Sequence, residues 1–169
     1  MAIRGLTSAD AAAFQQLRLD GLRRYPSAFA AHYDEECQLD ISEVAPRIAP
    51  TADNVVCGAF QGGVLVAIVG LKREVLKNLR HKALLWGMYV APEFRGKGLG
   101  GRLLNYVLDE ATRMHGVRQV NLWVNTTAPT AVALYRAAGF EEIGTERAFL
   151  MVDGTSQDLT LMVRVLEHK

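Results

Sequence analysis

Val90-Ala-Pro-Glu-Phe-Arg-Gly-Lys-Gly-Leu-Gly100 joins the strongest apolar strand pattern of the sequence to its clearest helix. Upstream, Ala83-Leu-Leu-Trp-Gly-Met-Tyr-Val90 is an apolar run interrupted by Gly87, and a glycine inside a strand marks a bulge. Downstream, Leu99, Leu103, Val107, Ala111 and Met114 recur at three- and four-residue steps, so a buried helical stripe is predicted that ends near Gly116. Such a strand-to-helix junction leaves the N–H groups of the first helical turn unpaired at the positive end of the helix dipole, which makes it an anion site. Gly96, Gly98 and Gly100 let a ligand approach the backbone closely, and Arg95 and Lys97 place two cations beside it. A pyrophosphate fits such a cradle.

Working outward, Asn54 to Phe60 and Val64 to Arg73 are β-rich runs separated by Gln61-Gly62-Gly63, the signal of a tight hairpin. Ile3 to Leu6 reads as a short strand. Thr7 and Asp10 then form a capping-box pattern ahead of an amphipathic helix that Pro26 ends. On that helix Ala13, Phe14, Leu17, Gly21 and Leu22 share the inner face, while Gln15, Arg18 and Arg23 are expected to face outward. Between Tyr25 and Pro50 the periodicity weakens into short helices and loops. Val120 to Val124 reads as a strand and Thr130 to Ala138 as a helix stopped by Gly139. Two last strands flank Val152-Asp153-Gly154. Strands and helices alternate only in the second half, so the expected fold is a three-layer α/β domain with a mixed, twisted sheet between helices. No internal linker appears, and residues 1–169 are expected to form one domain.

Composition narrows the function classes. Half of the 169 residues are hydrophobic and 22% are charged, which is globular usage and excludes disorder and low complexity. Nineteen Lys and Arg against eighteen Asp and Glu leave +1, so neither a nucleic-acid partner nor an acidic tail is expected, and any anion site must be local. Cys37 and Cys57 are too few for a disulfide framework or a zinc site, so no metal is expected and a reducing cytoplasm fits. The apolar run Val64 to Leu71 is far below membrane-spanning length.

The glycines also match a dinucleotide fingerprint, Gly96-x-Gly98-x-x-Gly101. Against that reading, Ala91 to Arg95 separate the glycines from their strand, and the next strand carries Asn121 and ends at Asn125 where an acidic residue is required. Val90 to Gly100 instead resembles, at every position, motif A of the GNAT acyltransferases, V-x-P-x-x-[QR]-G-x-G-[IL]-G. The resemblance extends through the Ile-Arg-x-Leu-Thr start and the central hairpin to Ala131-Val-Ala-Leu-Tyr135-Arg-Ala-Ala-Gly139-Phe140, which is similar to the family's motif B. One departure stands out: the family often has asparagine seven residues before the motif B tyrosine, whereas this chain has Ala128 there and Asn125 three residues earlier.

This resemblance implies a GNAT-like sheet whose strands splay at an acetyl-CoA site. The amides of Arg95, Gly96, Lys97, Gly98, Leu99 and Gly100 would hold the pyrophosphate. The backbone of Met88, Tyr89 and Val90 would pair with pantetheine, with Asn125 a further cofactor residue. Pantetheine is an extended chain of amides and can pair with a strand edge wherever two strands part. Acetyl transfer to an amine expels a thiolate of pKa about 8.5, and a hydroxyl can protonate it, which points to Tyr135 as the catalytic acid. Glu35 and Glu36 fall in the segment that covers the acceptor in the family and would accept a proton or recognise a cationic substrate, as would His32. The expected function is N-acetyl transfer to a small-molecule amine or a protein N-terminus; the alternative is a non-catalytic acyl-CoA sensor. The apolar C-terminal strands offer a homodimer edge.

Overall fold

The computed structural model describes residues 1–167. Seven strands form one sheet in the order β1-β2-β3-β4-β5-β7-β6: β1 (Ala2–Gly5), β2 (Asn54–Gln61), β3 (Val64–Arg73), β4 (Lys82–Val90), β5 (Gln119–Asn125), β6 (Glu141–Val152) and β7 (Thr155–Val165). Every neighbouring pair is antiparallel except β4 and β5. The expected mixed sheet is present, and the parallel pair is the one joined by a crossover helix, as parallel pairing requires.

Helices cover both faces. Helix α1 (Ala11–Arg24), the single turn α2 (Tyr33–Glu36) and α3 (Ile41–Ile48) lie on one side, around a core of Phe14, Val44, Ile48, Val56, Ile68 and Tyr89. On the other side α4 (Leu99–Arg113) and α5 (Pro129–Ala137) pack with Val69, Leu71, Leu85, Val120, Leu122 and Met162. The stripe Leu99, Leu103, Val107, Ala111 and Met114 is buried throughout, as its spacing requires. Truncating one of these leucines to alanine removes about 2–5 kcal/mol. The capping box forms as expected, with the Thr7 N–H donating to Asp10 at 2.8 Å. Among the described residues no helix is long and apolar enough to cross a membrane.

Gln15 and Arg18 correct the periodicity reading: both are buried, not outward. Helix α1 has a second neighbour on that flank, where Gln15 Nε2 donates to the Glu36 carbonyl at 2.7 Å and Arg18 Nε to the Glu36 carboxylate at 3.2 Å. A helical wheel registers only apolar neighbours, so a flank packed through polar contacts from residue 36 looks like a solvent face.

Candidate functional site: a parted strand pair beside a glycine cradle

Strands β4 and β5 pair only at Lys82–Gln119, Ala83–Val120 and Leu84–Asn121. Beyond Leu84 they part, because each follows its other neighbour: β5 stays in register with β7 from Gln119 to Asn125, while β4 stays with β3 across a bulge. That bulge spans Gly87 and Met88, with Ile68 opposite Tyr89 and Gly70 opposite Trp86, so three steps on β4 match two on β3. Gly87 has φ +65°, a left-handed conformation that glycine takes at no steric cost. From Leu85 to Val90 the β5-facing edge of β4 is without a strand partner, so apart from the Val90 carbonyl, which Arg95 occupies, it can accept an extended ligand. Met88 has no register partner on either side.

The cradle lies at the end of the same strand. A short 3-10 turn at Pro92–Phe94 consumes the Arg95 N–H, which donates to the Pro92 carbonyl at 3.2 Å. After it, the N–H groups of Gly96, Lys97, Gly98, Leu99, Gly100 and Gly101 donate to nothing among the described residues, and the first helical bond runs from Arg102 to Gly98. Gly96 and Gly98 take φ values of +74° and +72°, and a Cβ at either would meet no atom within 4 Å. The left-handed Gly96, following the extended Arg95, and the left-handed Gly98 turn their amides toward an anion-binding nest at the start of α4. The cradle is therefore displaced by one residue from the expected Arg95–Gly100 set.

Arg95 also differs from expectation in its side chain. Its guanidinium donates to the Val90 carbonyl at 2.8 Å and the Tyr25 hydroxyl at 3.0 Å, and stacks on Tyr25 and Tyr89 at 4.6 and 5.6 Å. Tyr89 in turn donates to Asp20 at 2.7 Å, and burial together with that bond raises its pKa. Arg95 thus ties the strand end to α1, and the loop cation without a protein partner among the described residues is Lys97.

Tyr135 is 7% exposed and meets Phe140 edge-on at 5.8 Å. Among the described residues its hydroxyl has no hydrogen-bond partner, and burial pushes its pKa up to about 12. Its neighbour Leu134 seats α5 on the cradle helix, reaching within 3.5 Å of a Cβ placed at Gly100.

Two expected site residues are corrected. Asn125 is buried with both ends of its amide engaged: Nδ2 donates to the Ser27 carbonyl at 2.9 Å and to Gln157 at 3.0 Å, and Oδ1 accepts from the Thr127 N–H and hydroxyl at 2.9 and 2.8 Å. It braces the Pro26–Ala28 turn against β5 and β7, and its side-chain amide is fully engaged within the protein. Glu36 is held by Arg18 and by both terminal nitrogens of Arg47, each at 3.2 Å. Burial opposes its charge, yet the two arginines outweigh that and lower its pKa. It is neither a free base nor a free receptor for a cation. Glu35 is exposed, and His32 accepts from the Asp34 N–H at the start of α2.

The family model described as the acetyltransferase (GNAT) family matches residues 15–140. This chain belongs to that family. Among curated relatives, the N-alpha-acetyltransferase RimI of Mycobacterium tuberculosis is 37% identical over 60% of this chain and 61% of its own length. The spermidine N(1)-acetyltransferase of Vibrio cholerae is 30% identical over 60% of this chain and 58% of its own. The matches thus span about three-fifths of those relatives. Among solved structures, yncA of Salmonella typhimurium, solved with its cofactor acetyl-CoA, superposes with a TM-score of 0.82 at 22% identity, covering 100% of this chain and 95% of that one. The GNAT fold expected from motif A is the fold observed.

Arg18 and Arg47 carry no site signal in the sequence, whereas Trp86 is one of the aromatics that could line an acceptor pocket. All three line a cavity of about 560 Å³ beneath β3 and β4 on the α1–α3 face. Arg18 and Arg47 are remote in sequence and come together only through Glu36.

Proposed function

We propose that this GNAT protein is an N-acetyltransferase that binds acetyl-CoA between β4 and β5 and acetylates a primary amine directly, in a ternary complex. The carrying observation is the coincidence of the parted strands with the unpartnered amides of Gly96 to Gly101. The residues present fit the cofactor. The nest and Lys97 suit a pyrophosphate, and the free edge from Leu85 to Val90 suits an extended chain of amides. Acetyl-CoA would supply an activated thioester, its acetyl group passing to the amine and coenzyme A being the thiolate leaving group.

Tyr135 holds its proton at neutral pH. With its pKa at about 12 it is a poor acid toward a thiolate of pKa about 8.5, so complete proton loss is uphill. It serves by donating a hydrogen bond as the thiolate develops, and passes its proton on only when the attacking amine's proton replaces it. Burial, aided by the charge of Glu110, pushes the Cys57 thiol up to about 12, which makes that side chain a poor acyl carrier.

Steady-state transfer from acetyl-CoA to an amine panel, with mass spectrometry of the intact protein, tests this reading. Acetylated amine with no acetylated protein intermediate is expected. Cofactor binding without transfer to any amine refutes it and favours the sensor alternative.

A further inference from the structure

Arg18 is 7% exposed, yet only its Nε is used, donating to Glu36 at 3.2 Å. The guanidinium lies 5.3 Å from the Trp86 ring centre, and among the described residues neither terminal nitrogen donates to a protein acceptor. Four of its five N–H groups are therefore unspent at a cavity wall. The single charge of Glu36 is shared between the buried Arg18 and the half-exposed Arg47, so this cluster carries one positive charge in excess. Lys72 adds a cation without an ion-pair partner among the described residues, and Glu74 is the one carboxylate lining the cavity. Arg73 also borders it, but its guanidinium is spent on the Arg80 carbonyl and Asp53.

The cavity's position matters as much as its charge. Leu84 is the last β4 residue paired with β5, and Trp86 follows on the same face. A Cβ at Gly87 would stand 3.2 Å from an Arg18 terminal nitrogen. The unspent donors thus sit under the strand edge at which the parting begins. A volume of about 560 Å³ is that of a small-molecule site. A polyamine entering it would meet a cationic wall, whereas an amine with an oxyanion a few bonds away would place that group on the Arg18 fork.

We infer that the acceptor is a small primary amine bearing an anionic group, a carboxylate or a phosphorus oxyanion, which docks on Arg18 with Lys72 at the outer rim. This rests on the N-acetyltransferase reading and inverts the polarity expected from Glu35 and Glu36.

The test compares kcat/KM across L-amino acids, their amides, aminoalkylphosphonates and spermidine. Anion-bearing amines are expected to exceed their uncharged counterparts by about tenfold or more, the value of a charge-assisted bond. The carboxylate and phosphonate arms tell the two oxyanions apart. Lys72→Met, at an exposed position, is expected to raise KM for the anionic acceptors severalfold more than for their amides, and an equal effect on both counts against docking at this rim. Preferred turnover of amides or spermidine overturns the inference. In parallel, the Trp86 indole N–H, which lacks an acceptor among the described residues, reports ligand entry as an NMR resonance assigned with Trp123→Phe. It is expected to shift with anionic amines and not with spermidine, with or without coenzyme A. If nothing in the panel is acetylated, the enzymatic reading fails, and the resonance still decides: no shift with any anion overturns the docking site as well.

Discussion

Replacing Glu36 with glutamine removes the one negative charge between two arginines, and its consequences follow from the geometry. The Arg18 half of the pair is buried, with side-chain exposures of 8% and 10% at 3.2 Å, so losing the charge leaves a cation in the interior without its counter-ion. Breaking such a pair costs about 3–5 kcal/mol, and the retained amide oxygen argues for the lower end. The Arg47 half is 45% exposed on the arginine side and contributes only the ~0.2–1 kcal/mol of a surface pair. Together these give about 3 kcal/mol, which for a chain of this length lowers Tm by about 6–12 °C. The sign with pH is fixed by the depressed pKa of Glu36. Its stabilisation is present above the unfolded carboxylate value of about 4.3 and is lost as pH falls through the folded value. Thermal and urea unfolding of wild type and Glu36→Gln at pH 7 and at acid pH measures both. A large difference at neutral pH that narrows in acid is expected. Variants within 0.5 kcal/mol of each other at pH 7, a surface-like value taken as about that size, would refute the buried-pair reasoning.

Tyr135→Phe is expected to lower kcat by about 100-fold or more with the KM for acetyl-CoA kept, since the hydroxyl is needed only as the thiolate develops; steady-state kinetics reads the split. Asn125→Ala unlinks the Pro26–Ala28 turn from β5 and β7, so calorimetric affinity for acetyl-CoA should hold while acceptor KM rises. A Cβ at Gly70 would lie 2.1 Å from the Trp86 ring, so Gly70→Ala must displace the indole. Overpacking of about 1–3 kcal/mol and a changed tryptophan emission are expected in chemical unfolding followed by fluorescence.

The sheet and the cradle were legible because their signals are local. The glycines of residues 96–101, the α4 stripe and the Gln61-Gly62-Gly63 hairpin each announce themselves within a few residues, and Gly87 marked the bulge. What stayed hidden depends on pairs far apart in sequence. Arg18 looked solvated because its partner is Glu36, and Glu36 looked available because its partners are Arg18 and Arg47. Asn125 reads as a ligand residue until Ser27 and Gln157 are seen to occupy it. The side chain of Arg95 stacks on Tyr25, just after α1, and on Tyr89 of β4, a choice no loop motif encodes.

Calorimetric titration of the folded protein with acetyl-CoA tests the central claim most directly, with Gly98→Pro as the comparison, because proline cannot adopt the left-handed φ of +72° and removes one of the free amides. Saturable binding at one site per chain is expected, abolished or greatly weakened in a variant that still folds. No heat at millimolar ligand, or equal affinity in the variant, would contradict that claim.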